Sequence, residues 1–236
     1  MKRYKIADLT VDIDAKCERL EQLGKPYETN KIGNADIIIK LTDEEIKKLS
    51  VQHPNLTADE IAYLATGTLF YRKSAVFECI LVHSSCIMYQ NKAYLFTADS
   101  GTGKSTHTGL WKKVFGDEIT YLNDDKPILR KQNGIWNAFG TPWSGKTDLN
   151  SNLSAPVQAI VFLKRGKENS VRKIEIEKEP VAPMFIKQTS KPKKLENMEA
   201  LLKNADDVLK SVNLYEMFCN ISEDAVWTAY KEIVKD

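Results

Sequence analysis

Residues 98–106, Ala-Asp-Ser-Gly-Thr-Gly-Lys-Ser-Thr, follow directly on the apolar run Ala93-Tyr-Leu-Phe-Thr97 and lead directly into a pattern of helical period. No other stretch restricts the chain so strongly, because it demands a strand, a glycine-rich turn and a helix in that order. In such a turn consecutive backbone N–H groups point inward and cradle phosphate oxygens, and the following helix adds its unpaired N–H groups and positive dipole end. Gly101 and Gly103 supply the unusual backbone angles. The expectation is that Ser100, Gly101, Thr102, Gly103, Lys104, Ser105 and Thr106 bind a nucleoside triphosphate. Lys104 would reach the terminal phosphates and Ser105 would ligate magnesium. Ala98 stands where the first glycine of such loops is usual. A Gly-Ser-Thr run is otherwise an ordinary surface turn, and the strand-loop-helix context decides against that reading.

The surroundings of the loop set the fold class. Residues 85–98 read as two apolar runs joined at Gln90-Asn91, so the strand before the loop pairs antiparallel with its predecessor. Asn133-Gly134, between Pro127–Arg130 and Ile135–Ala138, signals a further type I′ hairpin. Most triphosphatases with this loop place it in a parallel sheet whose connections are helices. The expected fold here is instead α/β of the α+β kind, a mixed and largely antiparallel sheet with flanking helices.

The chain has 236 residues, enough for one substantial domain with a small appendage. Residues 1–75 read as a small α/β region packed on the core: a strand from Ile6 to Ile13, another over 36–41, and helices opened by capping boxes at Thr42–Glu45 and Thr57–Glu60, the second closed by Gly67. Residues 76–236 are expected to form the core that carries the loop, with the closing helices. Lys104–Phe115 reads as a helix closed by Gly116, Trp111 as a core residue, Ile119–Asn123 and Val157–Leu163 as strands, and 195–212 and 222–234 as closing helices, Ser222 capping the last. Lysine- and glutamate-rich residues 164–195 read as solvated surface, although Lys187, Lys191, Lys193 and Lys194 could screen a phosphate.

Thirty-four basic and 32 acidic side chains leave a formal charge of +2, which offers no field for nucleic acid or an anionic membrane. No run approaches the ~18 apolar residues of a membrane span. Cys17, Cys79, Cys86 and Cys219 lack metal-ligand spacing and sit in apolar stretches, as buried thiols of a cytoplasmic protein would.

Magnesium-nucleotide chemistry needs a carboxylate at the end of a neighbouring strand, and Asp124 and Asp125 stand there. Side chains alternate along a strand, so both can face one metal only if the strand ends or bends at that point. One would then hold magnesium while the other accepts the proton of an attacking hydroxyl. His83 stands at the start of the hairpin whose other strand ends in the loop, and antiparallel pairing brings 83–85 beside 98–100, where His83 could contact the transferred phosphoryl group or its acceptor, a structural role being the alternative for a lone histidine. His53 reads as a surface residue and His107 as packed or solvated. In the turn-rich segment Gly140–Lys146, Trp143, Ser144 and Lys146 are candidates for a substrate wall and a phosphate contact.

Leu-Val-His-Ser-Ser at 81–85, the loop at 98–106 and Asn-Asp-Asp at 123–125 together resemble the HPr kinase/phosphorylase family, which is related in fold to the phosphoenolpyruvate carboxykinases. The resemblance covers roughly residues 76–165. It implies active-site roles for His83, Asp124 and Asp125, phosphate binding by Lys104, and magnesium binding by Ser105 with an aspartate. The implied activity is ATP- and magnesium-dependent transfer of phosphate to a hydroxyl, a serine of a protein or peptide, with a small-molecule kinase or a nucleotide-binding module of little turnover as alternatives. The family's glycine-rich signature after the aspartates has no counterpart beyond Gly140–Lys146. Such loops grip phosphates rather than the base, which leaves ATP, GTP and pyrophosphate alike open, and no residue here sets an oligomeric state.

Overall fold

The computed structural model of the protein describes residues 1–234. Strands β1 (Lys2–Ile6) and β2 (Leu9–Asp14) pair antiparallel. They turn at Ala7-Asp8, whose φ angles of 51° and 59° make a left-handed two-residue hairpin turn. The single strand expected over Ile6–Ile13 is therefore two, because the chain reverses where the sequence offers alanine instead of the usual asparagine or glycine. After helix α1 (Glu18–Gly24), strand β3 (Ile37–Lys40) joins β2 in parallel.

Helices α2 (Asp43–Gln52) and α3 (Ala58–Ser74) each open with the expected capping box: Thr42 with Glu45, Thr57 with Glu60. Helix α3 does not stop at Gly67. A Cβ there would lie 2.8 Å from Trp143 Cδ1, so this glycine makes room for an indole inside the helix run instead of ending it.

The remaining strands form one nine-stranded mixed sheet. They are β4 (Cys79–Leu81), β5 (Ser84–Tyr89), β6 (Lys92–Thr97), β7 (Thr120–Asn123), β8 (Ile128–Gln132), β9 (Ile135–Phe139), β10 (Ser154–Arg165), β11 (Ser170–Lys173) and β12 (Asn213–Cys219). The hairpins at Gln90-Asn91 and Asn133-Gly134 are present, each with two positive φ angles. Long β10 pairs antiparallel with β9 at its start, and farther on it lies parallel between β6 and β12. The order β7-β5-β6-β10-β12-β11 thus puts the strand before the glycine-rich loop between an antiparallel and a parallel neighbour.

Alternation along β6 divides two apolar layers. Tyr94 and Phe96 face helices α4 (Lys104–Phe115) and α7 (Glu223–Ile233), while Ala93 and Leu95 face the layer of α5 (Val181–Lys187) and α6 (Leu195–Ser211). Burial on both faces explains why β6 reads as a continuous apolar run. A third core joins β1–β3 and α3 to Ile128, Phe139 and Trp143. The four cysteines are free thiols, all buried except the half-buried Cys219. Among the described residues no helix is long and apolar enough to cross a membrane.

Candidate functional site

Strand polarity brings the candidates together. Because β5 runs antiparallel to both β6 and β7, its start lies at the same end of the sheet as their finishes. His83 precedes β5, the glycine-rich loop follows β6 and Asp124-Asp125 follow β7, so three separate motifs meet at one sheet end. The register is Ser84 to Thr97 and Ser85 to Phe96, which sets His83 level with Ala98 and carries 84 and 85 back into the strand, not forward to 99 and 100. Around this end lies a cleft of about 620 Å³ lined by His83, Ser100, Gly101, Gly103, Lys104, Ser105, Thr106, Asp124 and Asp125. A wider hollow of about 1150 Å³ among β1–β3, α1 and α2 contains none of the sequence candidates.

Gly101 and Gly103 take φ angles of 77° and 119°, and Gly103 opens α4, while Ala98 keeps an ordinary backbone. Lys104 is buried and its Nζ donates to the Ala98 carbonyl at 3.2 Å, folded across the loop that it belongs to. Burial pulls the Lys104 ammonium below its ordinary pKa, against the opposing charges of Asp125, Asp124 and Asp99. Two outside cations hold the loop. Arg165, at the end of β10, donates to the carbonyls of Gly101 and Thr102, and Lys187 pairs with Asp99 at 2.7 Å. Lys187 is a solvated residue, as its lysine-rich stretch suggested, and from the surface it pairs with the equally exposed Asp99 of the loop.

The aspartates share a face because β7 ends at Asn123. The fully buried Asn123 side chain accepts the N–H groups of Asp125 and Lys126 and donates to the carbonyls of Thr141 and Trp143, turning the chain sharply out of the strand. Asp124 is buried and accepts from Ser85 Oγ at 2.5 Å and Thr147 Oγ1 at 2.9 Å, with Thr108 beside Ser85 at 2.7 Å. Asp125 meets His83 Nε2 at 3.1 Å and the ammonium of Lys126. Burial pushes the Asp125 carboxyl up, but the His83 hydrogen bond and the Lys126 charge outweigh it and hold the group at about 2.

Among the described residues no cluster of three or more histidines, cysteines and acids could hold a metal by itself. Oxygen ligands available in the cleft include the Ser105 hydroxyl and the carboxylates of Asp124 and Asp125. This all-oxygen set suits a hard cation such as magnesium, which keeps waters and phosphate oxygens among its ligands.

Sequence reasoning missed a second wall. Arg19 from α1, Leu56, and Glu60, Tyr63 and Leu64 from α3 line the cleft, with Lys126, Gly145, Lys146 and Thr147. No local pattern announces Arg19 or Tyr63, since their position depends on how residues 1–75 pack against the sheet.

Of the three substrate candidates, Lys146 reaches the cleft while Trp143 and Ser144 do not. Trp143 is 1 % exposed, stacks on Phe70 at 5.0 Å and donates its indole N–H to Thr66, so it is a core residue and no substrate wall. Ser144 is fully buried and accepts from Asn150. His107 accepts from Trp111 and burial lowers it to about 4, so it is packed, not catalytic, and His53 is exposed where α2 ends.

A solved structure similar to the chain is the Hpr(Ser) kinase/phosphatase from Coxiella burnetii, with a TM-score of 0.38 and 10 % identity over 66 % of this chain and 97 % of that one. No curated protein matches the sequence. The family model described as SynChlorMet cassette protein ScmC matches residues 57–233, which run from the cap of α3 to the end of α7 and take in every cleft residue except Arg19 and Leu56. The chain belongs to the ScmC family.

Proposed function

We propose that the protein is an ATP- and magnesium-dependent phosphotransferase whose acceptor is a hydroxyl, a serine of a protein or peptide. One observation carries this reading: the glycine-rich loop with Lys104, the Asp124-Asp125 pair and His83 meet in one cleft of about 620 Å³. The phosphotransferase site takes residues 76–236 as its frame and residues 1–75 as its second wall.

The N–H groups of the loop and the dipole of α4 bind the β and γ phosphates, and Lys104 moves from the Ala98 carbonyl to the terminal phosphate. Ser105 and Asp124 would hold magnesium, which when bound neutralises charge on the phosphates. The two hydroxyls on Asp124 fix its rotamer while leaving lone pairs free. Asp125 accepts the hydrogen bond of the acceptor hydroxyl and aims its oxygen at phosphorus. A carboxylate at about 2 is a weak base, and that suffices, because phosphoryl transfer has a loose transition state in which positioning and charge matter most. His83 orients Asp125 and stands beside the transferred group.

Lys104→Ala should keep the circular dichroism of the parent and lose transfer from labelled ATP by at least ~100-fold. Parental turnover in that variant would sink the assignment. Labelled metabolite without labelled protein would mark a small-molecule kinase. Binding of ATP with neither product would mark a nucleotide-binding module.

A further inference from the structure

The loop, the aspartates and His83 account for the phosphates and the reacting hydroxyl, but not for the rest of the cleft. Arg19 dominates that remainder. Its guanidinium carbon lies 4.6 Å from the centre of the Tyr63 ring, and Tyr63 is fixed by donating to the Pro142 carbonyl and accepting from the Ser144 N–H, both at 2.9 Å. An arginine laid on a clamped aromatic face is preorganised, and its planar fork matches a carboxylate.

Its own partners leave it available. Nη2 donates to the Gly145 carbonyl and to Asp148, whose side chain is 51 % exposed, while Nε is buried with no partner. An ion pair so open to water is readily exchanged for another anion. No acid of the cleft makes a direct ion pair with it: Asp124 and Asp125 are engaged as described, and the Glu60 carboxylate, although its charge is felt at Arg19, is tied to the Thr57 N–H and hydroxyl. Lys146 adds a second cation, and Leu56 and Leu64 add apolar surface.

Position then specifies the occupant. The Gly145 carbonyl touches Arg19, and a Cβ on Gly145 would lie 2.8 Å from Asp125 Cβ, so a single residue's width separates Arg19 from the group that would receive the acceptor hydroxyl. An extended peptide advances ~3.3–3.6 Å per residue. We propose that this wall is an acceptor subsite for an acidic peptide: the serine that takes the phosphate has an aspartate or glutamate about one or two residues away, whose carboxylate replaces Asp148 on Arg19. The proposal rests on the phosphotransferase reading. In the step it serves, the bond from the γ phosphorus to the bridging oxygen breaks and a bond to the serine oxygen forms. The serine proton passes to Asp125 and on to solvent, leaving nucleoside diphosphate and phosphoserine.

The test measures binding and transfer separately on the full chain. Three serine peptides identical except for flanking glutamate, glutamine or lysine are titrated calorimetrically into the protein with magnesium and a non-hydrolysable ATP analogue. The glutamate peptide should bind at least about tenfold more tightly than the glutamine peptide. Arg19→Gln should erase that preference and Arg19→Glu should transfer it to the lysine peptide, with affinity for the analogue unchanged. Because Arg19 also packs on Tyr63, Asp148→Asn serves as a second variant, and by removing the competing carboxylate it should tighten the glutamate peptide. Equal binding of all three peptides, an Arg19→Gln effect confined to the ATP analogue, or equally tight binding of free serine would overturn the proposal. Labelled ATP then reports on the underlying reading: an acidic peptide that binds but takes no phosphate refutes the kinase and leaves the subsite standing.

Discussion

Asp125 stands between His83 and Lys126, and Asn123 holds the backbone that presents it. Its folded pKa of about 2 lies below the ordinary 3.8, so the folded state binds this proton less readily than the unfolded chain does. The stabilisation is therefore complete above the ordinary value and is lost as pH falls towards about 2, a difference worth about 2 kcal/mol. Urea unfolding at about pH 5 and about pH 2.5 should show the parent losing roughly that much more stability than Asp125→Asn. Equal losses would remove the charge network from the account. At this scale the residues that gather in the cleft were legible, since Lys104, Asp124, Asp125 and His83 sit in short motifs. The residues that place them were not. Asn123 works through a turn that only the end of β7 creates, and Arg19 meets Gly145 across more than a hundred positions.

Helix α3 passes straight through Gly67, whereas Gly109 lies in α4 with nothing within 4 Å of where a Cβ would stand. The same substitution should act oppositely in the two helices. Gly109→Ala should stabilise by about 1 kcal/mol through helix propensity alone. Gly67→Ala would drive a methyl into Trp143, where overpacking at about 1–3 kcal/mol exceeds the propensity gain. Denaturant midpoints of both variants check this, and a more stable Gly67→Ala would show that the indole can retreat. Elements with their own punctuation could be read in advance: two capping boxes, the Asn-Gly hairpin and the helix closed by Gly116. Elements whose reasons lie elsewhere in the chain escaped, namely α1, β11, α5 and β12. In β12 Leu214, Tyr215 and Met217 are all buried, an irregular pattern explained only by its place beside β10 with helices over both faces.

Residues 1–75 share a core with Cys79, Ile128, Phe139 and Trp143. Cutting them away would expose those side chains at about 1.5–3 kcal/mol for each large one, comparable together with the whole stability of a domain. A chain of 76–236 alone should therefore be insoluble or bind hydrophobic dyes strongly. A soluble, cooperatively unfolding fragment would contradict this. Parallel partners of β10 come from far apart in the sequence, so the sheet was harder to foresee than its hairpins. The position of β12 also has a consequence for synthesis. It lies between β10 and β11, yet it emerges from the ribosome after both. A nascent chain stopped before residue 213 leaves β10 with an open edge and β11 without its partner strand, an invitation to pair with the wrong chain. At ~5–20 residues per second that exposure lasts seconds, and chaperone demand should peak in that interval.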